Sequence, residues 1–89
     1  MKFSSRGGLD ESMTETEWLD IFGDNLRGIM ADKGYSQREL ADATGLSEGM
    51  ISYYLNKRCL PGVRAIINMA YELDVDLNDF IDFGDRIYD

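Results

Sequence analysis

Histidine is absent from this chain, cysteine and proline occur once each, and basic residues number 9 against 17 acidic ones. Each shortage excludes something. Without histidine, and with Cys59 alone, no Cys/His metal cluster can be assembled, so zinc-finger architectures are out. A lone thiol cannot close an intramolecular disulfide, which favours a reducing compartment, and a cytoplasmic location is expected. No apolar run approaches the ~18 residues needed to cross a bilayer, and the first residues lack the apolar centre of a signal peptide. Catalysis lacks its usual parts too: no imidazole base, no glycine-rich phosphate loop, and no base beside Cys59 to activate it. The carboxylates read as helix caps and solvated faces, so neither an enzyme nor a bound cofactor or metal is expected.

What is present suits one small soluble domain. Eighty-nine residues with 44% hydrophobic and 29% charged side chains fit a folded chain rather than a disordered one. The net charge of −8 is unevenly placed. Residues 1–24 hold two bases against six acids, a net −4. Residues 25–64 hold six bases against four acids, a net +2, and residues 65–89 hold Arg86 against seven acids, a net −6. The middle of the chain is the basic part.

Residues 1–12 carry paired glycines and no periodicity, and read as a flexible N-terminal arm. A first helix opens on Thr14 and Glu17, which have the spacing of a capping box, with Met13 and Trp18 placed as a hydrophobic staple. Trp18, Phe22, Leu26, Ile29 and Met30 follow at the spacing of one helical face, and Gly34 is placed to end the helix. Ser36 and Glu39 repeat the capping box, with Tyr35 and Leu40 as the staple, and open a second helix over about 37–43. Ser47 caps a third helix, which runs to about Leu55. After a loop holding Pro61, a fourth helix spans roughly Val63 to Leu73, with Val63, Ile66, Ile67, Ala70 and Leu73 expected inside. Asp76 caps a short fifth helix with Leu77, Phe80 and Ile81 expected on its inner side. The domain is taken as 13–83 and the acidic tail as 84–89.

The stretch Gln37–Asn56, QRELADATGLSEGMISYYLN, is the most informative. Leu40 and Ala41 point inward from one helix, Gly45 supplies the left-handed turn, and Leu46 and Ile51 return to the same interior. This is a helix-turn-helix, whose second helix can lie in the DNA major groove. The pattern of Ser36, Gln37, Leu40, Ala41, Gly45 and Ile51, with the closing segment Ala70–Phe80, resembles the phage-repressor and Cro-like family, also called Xre-like. The resemblance covers about Ile21 to Ile81. It implies an all-α, compact five-helix bundle, a lambda-repressor-like domain with the third helix as recognition helix.

Carried over by position, the resemblance puts Gln37 at a phosphate and the first base, with Arg38 as a further phosphate contact. Glu48, Gly49, Met50, Ser52 and Tyr53 fall on the face that looks into the groove, and Lys57 and Arg58 fall where family members touch the backbone. Tyr53 and Tyr54 point about 100° apart, which makes Tyr53 the reader and Tyr54 the core residue. The recognition helix departs from the family in its acidic Glu48 and bare Gly49. The function implied is a sequence-specific regulator, a repressor by expectation, binding double-stranded DNA as a homodimer on half-sites. A minor-groove role for Lys2 and Arg6 is the alternative reading of the arm. The alternative for the whole chain is an acidic protein-interaction module, with Phe83, Ile87 and Tyr88 in the C-terminal segment meeting a protein partner or a second copy.

Overall fold

A computed structural model describes residues 14–81. Five helices follow in order: α1 (Glu15–Lys33), α2 (Gln37–Thr44), α3 (Glu48–Leu55), α4 (Val63–Leu73) and α5 (Leu77–Phe80). No strand occurs among the described residues. Met13, residues 1–12 and the segment 82–89 lie outside them, and with them the staple partner of Trp18, the arm and the tail.

The helix boundaries follow local chemistry. Glu17 N–H donates to Thr14 Oγ1 at 3.2 Å while Thr14 N–H donates to Glu17 Oε1 at 2.8 Å, so the first turn of α1 satisfies its own orphan donors. Ser36 and Glu39 do the same for α2, at 3.1 and 2.9 Å. Three helices end on one pattern. Gly34, Lys57 and Asp74 adopt left-handed backbone, and the residue after each donates back to Met30, Tyr53 and Ala70 carbonyls at 2.9, 2.9 and 3.0 Å. α2 stops instead at Gly45, φ 80°, whose N–H reaches the Ala41 carbonyl at 2.9 Å.

α1 runs behind the bundle and packs on α3, α4 and α5, while α2 packs on α3 and α4. Their shared interior holds Phe22, Leu26, Met30, Leu40, Ala41, Ile51, Tyr54, Leu55, Met69, Ala70, Leu73 and Phe80. Phe22 is its aromatic hub, set edge-on to Tyr54 at 6.0 Å and tilted against Phe80 at 5.4 Å. Polar ties close the seams. Asn25 Nδ2 donates to the Phe80 carbonyl at 2.9 Å and the Tyr35 hydroxyl to the Glu72 carbonyl at 3.3 Å.

Several inward assignments move. Trp18 is only half-buried, and Ile21, one residue before Phe22, is the buried neighbour. On α4, Val63 and Ile67 face outward, and Met69 takes the buried position expected of them. Leu77 is exposed while Phe80 is fully enclosed. The causes are tertiary. α4 is apolar around most of its circumference, so periodicity alone cannot choose its inner side.

Gly45 offers a clean test of the turn. A Cβ built there would meet no atom within 4 Å, so any penalty is that of the backbone rather than of a clash. Gly45→Val is expected to destabilise the fold by at least ~1–2 kcal/mol, the cost of left-handed backbone for a residue with a Cβ. Denaturant unfolding measures it, and an unchanged midpoint would count against the role given to this turn.

Candidate nucleic-acid interface

The turn between α2 and α3 sets the site. Thr44 Oγ1 donates to the Leu40 carbonyl at 2.7 Å and accepts from Leu46 N–H at 3.4 Å. Ser47 Oγ then accepts from Met50 N–H at 3.1 Å and starts α3. With Leu40 and Ile51 wholly enclosed, the first turns of α2 and α3 are both left open to solvent. Gln37, Arg38, Glu48 and Gly49 are all exposed there.

Along α3 the two tyrosines separate as expected: Tyr53 is 52% exposed and Tyr54 3%. Burial pushes the Tyr54 hydroxyl pKa up, with a smaller push from Cys59, so it stays neutral in the core. Met50 needs correction. It is half-buried and packs against the core cluster, so its side chain faces partly inward instead of lying fully on the reading face. Ser52 is half-buried and accepts from Asn56 Nδ2 at 3.1 Å. The open ridge is therefore Gly49, Ser52, Tyr53 and Asn56, spaced as neighbours on one helical face. Asn56 stands on this ridge although the sequence pattern did not single it out. The signal was present, since it stands three residues after Tyr53 and four after Ser52, and its amide is a suitable base reader.

Gly49 is exposed, and a Cβ there would come no closer than 3.9 Å, to Ser47 Oγ. That is ordinary contact. Nothing in the packing asks for glycine at this point of the recognition helix.

The two bases after α3 behave differently. Arg58 is exposed and makes no ion pair among the described residues, which leaves its guanidinium available. Arg38 is in the same position on α2. Lys57 is engaged: its Nζ lies 2.6 Å from Asp20 Oδ1 and 2.8 Å from Asp24 Oδ1, one turn apart on α1. Its backbone is left-handed at φ 63°, a place where glycine is the usual choice. Its stem lies over Gly23, where a Cβ would fall 2.8 Å from Lys57 Cγ and 3.1 Å from the Tyr54 carbonyl oxygen. The expectation of a Lys57 side chain free for phosphate is thus revised. A second tie runs parallel, from Arg27 Nη2 to the Leu55 carbonyl at 3.3 Å. Together these fasten the end of α3 to α1.

Glu39 is held by its cap, and Glu48 sits in the first turn of α3, where a carboxylate favours the helix dipole. Among the described residues no group of His, Cys, Asp or Glu could hold a metal ion, and no helix is long and apolar enough to cross a membrane.

Compared with known proteins, residues 26–80 match the helix-turn-helix family model. No curated protein and no solved structure matches the chain. The matched region starts inside α1 and runs through α5, so it includes the turn, the open ridge and both flanking bases.

The Lys57 tie is testable by double-mutant cycles of Lys57→Ala with Asp20→Ala and with Asp24→Ala. All three side chains are more than one-third exposed, so each coupling is expected at about 0.5 kcal/mol and should fade in high salt. Hydrogen bonding to Asp20 and then Asp24 raises the Lys57 pKa. The folded state holds its proton more tightly, so the contribution is whole below the ordinary lysine value near ~10.4 and disappears as pH climbs past the raised one. Coupling that persists in molar salt would mean the contact acts by packing rather than by charge.

Proposed function

Because this chain belongs to the Cro-like helix-turn-helix family of DNA-binding regulators, we propose that it recognises a specific operator as a dimer and represses by occluding a promoter. The observation that carries the proposal is the open ridge of α3, which contributes nothing to the core yet is held firmly at both ends. Gly49 lets backbone approach the base edges, Tyr53 makes apolar contact with thymine methyl groups, and Asn56 pairs its amide with an adenine edge. Glu48 accepts from cytosine N4, a base-edge donor that a carboxylate suits. Gln37 and Arg38 at the start of α2, with Arg58 beyond α3, meet the flanking phosphates. Lys57 positions the recognition helix through α1 and contributes little to phosphate binding.

So few cations per copy make single-copy affinity low, because counterion release scales with the phosphates neutralised. Two copies on half-sites about 34 Å apart double that contribution and impose the spacing of one helical turn of DNA. A second reading, an acidic module for a basic protein partner, draws support from one feature. A shallow groove of about 820 Å³ between α1 and the α4–α5 turn is lined by four carboxylates, Asp24, Asp32, Asp74 and Asp79, against the single cation Lys33, around Ile29 and Val75. Binding to random duplex separates the two: affinity that falls steeply with salt supports the first, and no binding at low salt leaves only the second.

Arg58→Ala is expected to weaken binding to every duplex alike and to lower the magnitude of the salt slope by about 1, while Lys57→Ala leaves the slope within error. A slope unchanged by Arg58→Ala would remove that residue from the contact set. Gly49→Ala is expected to raise stability by ~0.5–1 kcal/mol and to weaken or redirect operator binding. Stability gained with site preference intact, measured by selection from a random duplex library, would show that the bare position has no part in reading.

A further inference from the structure

The largest unexplained feature of the surface lies away from the DNA-reading ridge, on α4. Val63, Ile67 and Tyr71 recur every four residues and are 75%, 50% and 82% exposed. They form one continuous apolar ridge along the whole helix, extended at its start by the exposed Leu60 in the preceding loop. Isolated exposed apolar residues are ordinary, whereas an aligned row of three large ones on a single helix marks a contact surface.

Charge identifies what covers it. Two copies of a chain with net charge −8 repel each other over most of their surface. α4 is the exception, because its only charged residues are Arg64 near its start and Glu72 near its end, with Asp74 as the cap that follows. The helix is neutral overall. A parallel pair of α4 helices would set Arg64 beside Arg64 and acid beside acid. An antiparallel pair sets the Arg64 end of one copy by the exposed Asp74 at the end of the other, and opposes the two helix dipoles favourably. In that arrangement Val63 meets the partner's Tyr71, and Ile67, at the middle of the ridge, meets its own copy on the twofold axis. The surface is self-complementary, as a twofold contact requires.

We propose that the α4 ridge is the surface through which two copies of this chain associate, antiparallel and centred on Ile67. The inference rests on the dimeric reading above and supplies its interface. Its size sets its strength. An 11-residue helix is about 16 Å long, and one row of side chains buries less than the ~1,200 Å² of a stable interface. Association is therefore weak in free solution and completed on DNA, where adjacent half-sites raise the effective concentration.

The experiment uses the full chain with Ile67→Lys and Ile67→Glu, followed by sedimentation over a wide concentration range and by binding to a palindromic duplex selected with the unaltered protein. Position 67 is half-exposed, so both variants should keep the unaltered melting temperature. Each alone should stay monomeric and bind the second half-site at least about tenfold more weakly. An equimolar mixture should recover association, because residue 67 faces residue 67. Unaltered protein that is monomeric at every concentration and fills the two half-sites independently would overturn the proposal. So would variants that associate as the unaltered protein does, or a mixture no better than either component. Self-association lost at Ile67 in a protein that binds no DNA would refute the proposed function alone. Cooperative operator binding untouched by Ile67→Lys would refute this interface alone.

Discussion

The left-handed turn at Gly45 determines which side of each neighbouring helix is available to anything else. By reversing the chain within one residue it brings Leu40 and Ala41 of α2 against Ile51, Tyr54 and Leu55 of α3, and the five side chains share the core with α1 and α4. Burial of that set dictates its complement. Once Ile51 and Leu55 are inside, the helical period leaves Gly49, Ser52, Tyr53 and Asn56 on the outer side. The open face of α3, the proposed reading face, is a consequence of the packing, and its composition is unconstrained by the fold.

That separation explains what could be read from the amino-acid order. Caps and turns are local chemistry over three or four residues, so Thr14 with Glu17, Ser36 with Glu39, and Gly34 and Gly45 were legible without any tertiary knowledge. The division between Tyr53 and Tyr54 was legible as well, because only one of two adjacent helical residues can follow Ile51 inward. Where a helix is apolar on several sides the pattern carries no choice. α4 was assigned Val63 and Ile67 as core residues, yet Met69 is buried and the other two are outside, a register decided by α2 and α5 packing against it. Lys57 illustrates a different limit. Its partners are 37 and 33 residues away, and a side chain that sits beside Arg58 in sequence belongs in space to α1.

The Lys57 contact changes how the basic middle of the chain should be counted. Of the six bases between residues 25 and 64, Arg27 and Lys57 are directed inward to the Leu55 carbonyl and to Asp20 and Asp24. Both hold the same object, the exit of α3. A recognition helix of eight residues has little rigidity of its own, and here two long side chains from opposite directions fasten it to the nineteen-residue α1. Charge that could have served nonspecific affinity serves orientation instead, an arrangement that suits the proposed base-edge contacts better than a diffuse attraction to phosphate.

Acidity then becomes part of the same logic. The net charge of −8 opposes the approach of any duplex, and with Lys57 withdrawn the described cations flanking the ridge are Arg38 and Arg58, joined by helix-terminal amides. With so few phosphate partners, a single domain of this kind is expected to hold random sequence weakly. On the proposed dimeric reading, occupancy of an operator comes from two such heads acting together, and the neutral ridge of α4 is where two acidic bodies would touch without repulsion. In that proposed arrangement weak nonspecific attraction and a weak self-contact are complementary: neither would hold the protein on DNA alone, and their product would be large only where two half-sites stand at the right spacing.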